Sequence, residues 1–306
     1  MDRRNFLKNQ IRGALWLGLG ATGLALPNRV LASATPDIAV VKGNRIKAVR
    51  AAVDLVGGIK EYVKPGNRVL IKPNMSFAHR PRMATNTHPE VVRELAIMCR
   101  EAGASRVRVL DHTLQSPKRS LKNSGIYDAL KDIDDQMVHA LNSRKFYKET
   151  SIPDGESLTD TSISTEALKS DVLIAAPVAK THGATGVSLS MKGMMGLIYN
   201  RRILHWAIDL DEGIVDLCTV LKADLTVIDA SRVLSTNGPG GPGKVLLANT
   251  IIASKDMVAA DACAVSMFEW YGQSYKPRQV EHIRLAHERG LGRMDLENLN
   301  IKKITV

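Results

Sequence analysis

Four short apolar runs in this sequence are each followed by residues able to hold an anion or move a proton. Lys72, Pro73 and Asn74 follow Arg68–Ile71, and Asp111, His112 and Thr113 follow Val107–Leu110. Pro177, Lys180, Thr181 and His182 follow Val172–Ala176, and Asp229, Ser231 and Arg232 follow Leu225–Ile228. A lysine ammonium holds carboxylate or phosphate as a point charge. An imidazole titrates near neutral pH and can give or take a proton. A carboxylate can orient that imidazole or share in binding a divalent cation. These types predict a centre in which His182, Lys180 and Asp111 react, while Lys72, Asn74, Thr181, Lys192 and Asn237 touch the ligand. Asp111 and Asp229 are the carboxylates open to a divalent metal; the sequence identifies no other cofactor. Each group alone fits a solvated loop or a helix cap equally well. The set is informative because parallel strands bring their carboxyl ends to one edge, where ligands bind.

The densest stretch runs from Lys180-Thr181-His182-Gly183-Ala184-Thr185-Gly186 to Met191-Lys192-Gly193-Met194-Met195-Gly196. Glycines there allow close backbone approach, and free backbone N–H groups suit an anion. The alternative is a Gly-rich turn leading into a Met-lined core helix. Met191, Met194 and Met195 also allow a copper site, although core packing explains them better. Asn237-Gly238-Pro239-Gly240-Gly241-Pro242-Gly243-Lys244 has the spacing of a phosphate-binding P-loop, but Val245 stands where Ser or Thr is needed and a strand is expected where a helix should start. It reads instead as a rigid loop over the sheet edge, with Asn237 as a polar contact. His88 precedes Pro89 and reads as a cap neighbour or a crevice residue. Asp256 and one of Asp209 and Asp211 read as N-caps, and Asp261 is unusual on an Ala-rich helix. No His pair has metal-ligand spacing.

The elements that must position these groups alternate between strand-length runs and helical periodicity. Strands are expected at Ile38–Val41, Arg68–Ile71, Val107–Leu110, Val172–Ala176, Leu225–Ile228, Leu246–Ala253 and Ile301–Val306. Helices are expected at Arg45–Val56, Pro89–Ala102, Leu121–Lys131, Glu212–Lys222, Met257–Trp270 and Arg278–Arg289. This order predicts an α/β fold: a mainly parallel sheet with helices on both faces and Gly-rich loops at the strand carboxyl ends. Residues 141–165 are polar and irregular, and read as an excursion or small subdomain.

The chain has 306 residues and a formal charge of +11. Residues 1–34 hold five Lys/Arg and one acid, leaving 37 basic and 30 acidic residues, or +7, in the rest. That excess favours anionic partners only weakly. Basic clusters with interleaved aromatics are absent, which argues against nucleic acid. Cys99, Cys218 and Cys263 are far apart in helical apolar stretches and read as buried small hydrophobes. The start, Asp2-Arg3-Arg4-Asn5-Phe6-Leu7-Lys8, resembles a twin-arginine signal; Ala14–Leu26 supplies a short apolar run and Leu31-Ala32-Ser33-Ala34 a small-x-small cleavage site. An uncleaved anchor is the alternative. The resemblance implies the twin-arginine translocase as a partner during export and a periplasmic or otherwise extracytoplasmic location. It also divides the chain into a signal at 1–34 and one α/β domain at 35–306. The oligomeric state is not legible.

The mature segments resemble the domain-of-unknown-function 362 family. The marks are Val69-Leu70-Ile71-Lys72-Pro73-Asn74, His88-Pro89-Glu90-Val91-Val92, Glu101-Ala102-Gly103-Ala104 and Val109-Leu110-Asp111. More specific are Lys180-Thr181-His182 with Lys192, Asn237-Gly238-Pro239 and Ser254-Lys255-Asp256-Met257-Val258-Ala259. Family members often have Lys-Asn where this chain has Lys192-Gly193. Many relatives carry cysteine clusters for iron–sulfur centres; this chain has no such cysteine pattern, so that cofactor is not carried over. The Lys-and-His arrangement is also similar to that of lactate-racemase-like proteins, which use a nickel-pincer cofactor. Together these features lead to an expected exported enzyme acting on a small anionic metabolite. The alternatives are a non-catalytic periplasmic anion- or metal-binding protein, or an accessory protein for an exported redox enzyme.

Overall fold

The computed structural model describes residues 35–306; the expected signal at 1–34 lies outside the described residues. In chain order the strands are β1 (Ile38–Lys42), β2 (Arg68–Pro73), β3 (Arg106–Asp111), β4 (Val138–Ala140), β5 (Tyr147–Ser151), β6 (Asp160–Ser164), β7 (Val172–Ala176) and β8 (Val178–His182). Then come β9 (Gly186–Ser188), β10 (Leu225–Leu234), β11 (Val245–Leu246), β12 (Thr250–Ser254), β13 (Glu269–Trp270), β14 (Gln273–Ser274) and β15 (Ile301–Thr305). The central sheet has the order β15-β1-β12-β10-β7-β2-β3-β4 and is parallel at every step except on the two sides of β12. The fold is therefore α/β with a mostly parallel sheet, as expected.

Both faces of the sheet are buried. Ile38 and Val40 of β1 enter one core and Ala39 and Val41 the other; Leu70 of β2 enters the first, Val69 and Ile71 the second. Such two-sided burial explains why the strands read as unbroken apolar runs. Helices Arg45–Leu55 and Pro89–Glu101 cover the face of Val69 and Ile71. Helices Leu210–Val220, Met257–Met267 and Glu281–Glu288 cover the other. All three cysteines are free and buried. Burial pushes the thiols of Cys99 and Cys263 up, to about 12 and about 11, so they behave as small hydrophobes.

Several elements differ from expectation. The helix expected over Leu121–Lys131 is two, Pro117–Ser124 and Ile126–Leu130, broken at Gly125 with φ 76°. The helix from Met257 stops at Met267, and Trp270 lies fully buried in β13, its indole N–H donating to Val265 O at 3.0 Å. The run Leu246–Ala253 divides into β11 and β12, and the run Arg278–Arg289 into a 3-10 turn at Pro277–Gln279 and the helix Glu281–Glu288. Residues 141–165 hold the antiparallel hairpin of β5 and β6.

Two further differences shape the site. Pro177 has no N–H to give, so the β7 run is interrupted there and resumes as β8, which pairs antiparallel with β9. Lys180, Thr181 and His182 thus lie on a strand, not in a Gly-rich loop. β10 does not end at Ile228 but runs on to Leu234, pairing first with β7 and then with β8.

Candidate functional site

At the carboxyl edge of β2, β3 and β8 lies a cavity of about 420 Å³. Lys72, Asn74, Ser76 and Phe77 reach it from the end of β2, and Asp111, His112, Thr113 and Leu114 from the end of β3. Lys180 and His182 enter from β8. The segment packed over the edge adds Lys192, Met195, Tyr199, Arg201, Arg202 and His205, and Pro239 closes one side. Five Lys/Arg side chains thus face one carboxylate, that of Asp111.

The floor is a buried ion pair, Lys72 Nζ to Asp111 Oδ1 at 3.1 Å. Lys72 Nζ also donates to Pro73 O at 2.6 Å. Asp111 Oδ2 accepts from Met75 N at 2.9 Å and Ser76 Oγ at 2.8 Å. Burial lowers the Lys72 ammonium from its ordinary value against the pull of Asp111. Gly196 lies directly on this pair. A Cβ there would stand 2.0 Å from Asp111 Oδ1 and 2.8 Å from Lys72 Nζ, so the position excludes any side chain.

Lys180 Nζ donates to Thr85 O at 2.6 Å and lies 5.1 Å from the Phe77 ring centroid. Burial, with Lys72 and Lys192 nearby, lowers its ammonium to about 7 despite Asp111. Burial and then Arg201 lower Lys192 to about 7 as well, against Asp211. The Lys192 ammonium donates to the Met195 thioether at 2.8 Å. Its short helix, Ser190–Gly193, is tied down by Asp261 of helix Met257–Met267. Asp261 Oδ1 accepts from Ser190 N at 2.9 Å and from the Ser190 hydroxyl, and Oδ2 accepts from Met191 N at 3.0 Å. That explains a carboxylate on an Ala-rich helix.

His182 Nδ1 accepts from Ala184 N at 3.2 Å, which leaves the neutral ring's proton on Nε2. Its ring stacks on His205 at 6.1 Å. Burial, then Lys192, His205 and Lys180, push the imidazole down to about 3. His182 is therefore neutral at physiological pH in the ligand-free pocket. An anion beside it would reverse part of that shift.

Three expected residues lie elsewhere. Asp229 is fully buried within β10 and accepts from His88 N at 2.8 Å, Ser231 N at 3.0 Å, Ser231 Oγ at 2.6 Å and Arg232 Nη2 at 3.0 Å. It does not join Asp111, so the two carboxylates expected to share a metal are apart. Thr181 donates to Leu234 O at 3.2 Å and accepts from Gly238 N at 2.9 Å, anchoring the 237–243 loop. Asn237 donates to Pro242 O at 2.7 Å within that loop and does not line the cavity. β11 follows the loop, as the rejection of a P-loop required. Asn74 does line the cavity, and its Oδ1 accepts from Val178 N at 3.0 Å, joining the end of β2 to β8. Met191 and Met194 are buried in the core, and Met195 is buried between that core and the cavity wall. His88 caps helix Pro89–Glu101 through Nδ1, which accepts from Glu90 N.

Arg201, Arg202, His205 and Tyr199 were not among the expected residues. The available signal was the pair of adjacent arginines between the Met-rich stretch and Asp209, which N-caps helix Leu210–Val220. Among the described residues, no helix is long and apolar enough to cross a membrane, and no group of three or more His, Cys, Asp or Glu is placed to hold a metal ion.

A thylakoid-associated protein of Synechocystis sp. is 28% identical over 228 residues, 72% of this chain and 68% of that protein. The lactate racemase apoprotein from Thermoanaerobacterium thermosaccharolyticum is similar at 15% identity and TM-score 0.46, over 74% of this chain. A Thermotoga maritima protein is similar at 12% identity and TM-score 0.45, over 81% of this chain. The chain spans 56% and 60% of the length of those two solved structures. The family model described as Domain of unknown function (DUF362) matches residues 69–266, from β2 through most of helix Met257–Met267, and by that match the chain belongs to the DUF362 family.

Proposed function

We propose that this protein is an exported enzyme whose cavity takes a small anionic metabolite bearing a carboxylate or phosphate. The observation that carries this reading is the charge imbalance: Lys72, Lys180, Lys192, Arg201 and Arg202 surround one carboxylate. A low-dielectric pocket of that kind focuses an anion strongly. The donor set suits an anion better than a divalent cation. Lys72 and two hydrogen-bond donors already engage the Asp111 oxygens, and the flanking cations repel a metal. In this reading Lys180, Lys192 and Arg201 hold the anionic group. His182 moves a proton once the bound anion has raised its affinity for one, with Asp111 and Lys72 fixing the floor.

Thermal-shift screening of carboxylates and phosphates tests the binding. Stabilisation by such anions that is lost in Lys180→Met supports it; a flat response across the panel overturns it. Turnover assays separate an enzyme from a plain binding protein. His182→Gln should lose turnover and keep ligand affinity within a few-fold, and unchanged turnover would remove His182 from the reaction.

The export reading rests on Arg3-Arg4 with the apolar run and small-x-small site behind them, and a thylakoid-associated relative sits comfortably with it. Cell fractionation of an Arg3→Lys, Arg4→Lys double variant checks it: retention of that variant in the cytoplasm is expected, and unchanged export would point to another route.

A further inference from the structure

The geometry points to Lys192 as the amine that forms a covalent imine with the carbonyl of a small 2-oxo acid. This inference rests on the anion-binding reading above and adds the reactive group of the ligand. The three cavity lysines are held differently. Lys72 is tied to the Asp111 carboxylate at 3.1 Å and to Pro73 O. Lys180 donates to Thr85 O and lies over Phe77. Among the described residues, Lys192 has only a thioether, Met195 Sδ, within hydrogen-bond distance. Sulfur is a weak acceptor and does little to keep an ammonium charged. The amine is nonetheless held in place, because Asp261 fixes Ser190 and Met191 at the base of its helix through three hydrogen bonds. Arg201 and Arg202 of the neighbouring segment line the same cavity and can hold a carboxylate next to the carbonyl.

A buried lysine crowded by cations is the environment in which an amine becomes nucleophilic at neutral pH. The lowering of Lys192 to about 7 agrees with this placement. In the step itself, the neutral Lys192 Nζ attacks the carbonyl carbon and a C–N bond forms. The carbonyl oxygen takes a proton while the nitrogen gives one up. The nitrogen lone pair then expels that oxygen, protonated again, as water. One C=O bond is lost and one C=N bond gained, with no change of oxidation state. Lys180, with its affinity near neutrality, is the cavity group able to exchange these protons, while the neutral Nε2–H of His182 can donate a hydrogen bond.

The test uses the full chain with pyruvate or glyoxylate and sodium cyanoborohydride, followed by intact-mass and peptide mapping. With pyruvate, one adduct is expected, equal in mass to pyruvic acid less one oxygen, on the peptide carrying Lys192. Lys192→Met should abolish it. Lys192→Arg, which keeps the charge but cannot form an imine, should also lose the adduct; propionate, an anion without a carbonyl, should stabilise the natural chain without forming one. The arginine variant also serves if the methionine variant does not fold. Adducts confined to other lysines, or no adduct while both pyruvate and propionate stabilise the protein, would overturn the imine and leave the anion pocket standing. Absence of both adduct and stabilisation would overturn both.

Discussion

Lys72–Asp111 and Arg232–Asp229 are both buried ion pairs, at 3.1 and 3.0 Å, and both draw on polar residues that follow apolar strand runs. Their surroundings differ. Asp229 lies inside β10 with four donors from His88, Ser231 and Arg232, and borders no part of the cavity. Asp111 stands at the end of β3, where Lys180, Lys192, Arg201 and Arg202 share its cavity without a carboxylate of their own there. In the Arg232–Asp229 pair the carboxylate is fully engaged by protein donors, while Arg232 Nε and Nη1 are buried without a hydrogen-bond partner among the described residues; the pair works as structure. The Lys72–Asp111 pair belongs to a set in which five cations line a cavity with one carboxylate, and under the proposed function an anion would complete it. Burial of charge alone does not mark a functional site; uncompensated charge facing a cavity does.

The largest effect expected from breaking this contrast is in the structural pair. Asp229→Ala leaves Arg232 buried opposite no carboxylate and should cost about 3–5 kcal/mol of stability, measured by urea denaturation. Anion affinity of the remaining folded protein should hold. Normal stability with lost anion binding would reverse the roles assigned to the two pairs. Next comes Gly196→Ala, whose Cβ would fall on Asp111 Oδ1. Overpacking of this kind should cost about 1–3 kcal/mol, and the anion-induced thermal shift should vanish because Lys72 and Asp111 must separate. An unchanged shift would mean the floor pair is dispensable.

A smaller and opposite signature is expected of Lys180→Met. Loss of one charge-assisted contact should weaken anion binding about 10- to 100-fold by calorimetry, while ligand-free stability stays level or rises because a buried cation has gone. A simple fall in stability with intact binding would place Lys180 with the structural groups. A dependence on pH completes the comparison. Lys180 and Lys192 are lowered from 10.5 to about 7, so each is charged below about pH 7 and neutral above it. Anion affinity should be highest below that point and fall by about tenfold per pH unit above it for each lysine that must be charged. Ligand-free stability runs the other way. Between about 7 and 10.5 the unfolded chain binds more protons at these two lysines, so their contribution to stability rises with pH. Titrating both quantities in the natural chain and in Lys180→Met separates these lysines from other groups.

Much of this was legible in the chain. Residues such as Val69, Leu70 and Ile71 announce a strand buried on both faces, and the α/β alternation follows from runs of that kind. Lys72, Asp111, Lys180, His182 and Lys192 were legible as a set because parallel strands end at one edge. Thr181 and Asn237 misled because hydroxyl and amide groups beside glycines look the same whether they bind a ligand or hold a loop. Arg201, Arg202 and His205 carried little signal, since they lie on a segment without a strand before it.

Local pattern alone determined the class of fold, the two-faced burial of its strands and the edge where polar groups gather, because side-chain period and strand direction are properties of neighbouring residues. The tertiary structure decided which of those groups are spent on one another and which face open space. That outcome depends on β10 continuing past Asp229, on Pro177 redirecting the chain into β8, and on Asp261 pinning the segment that carries Lys192. Each involves partners dozens of residues apart, whose meeting is set by packing and by the need to satisfy most buried polar atoms.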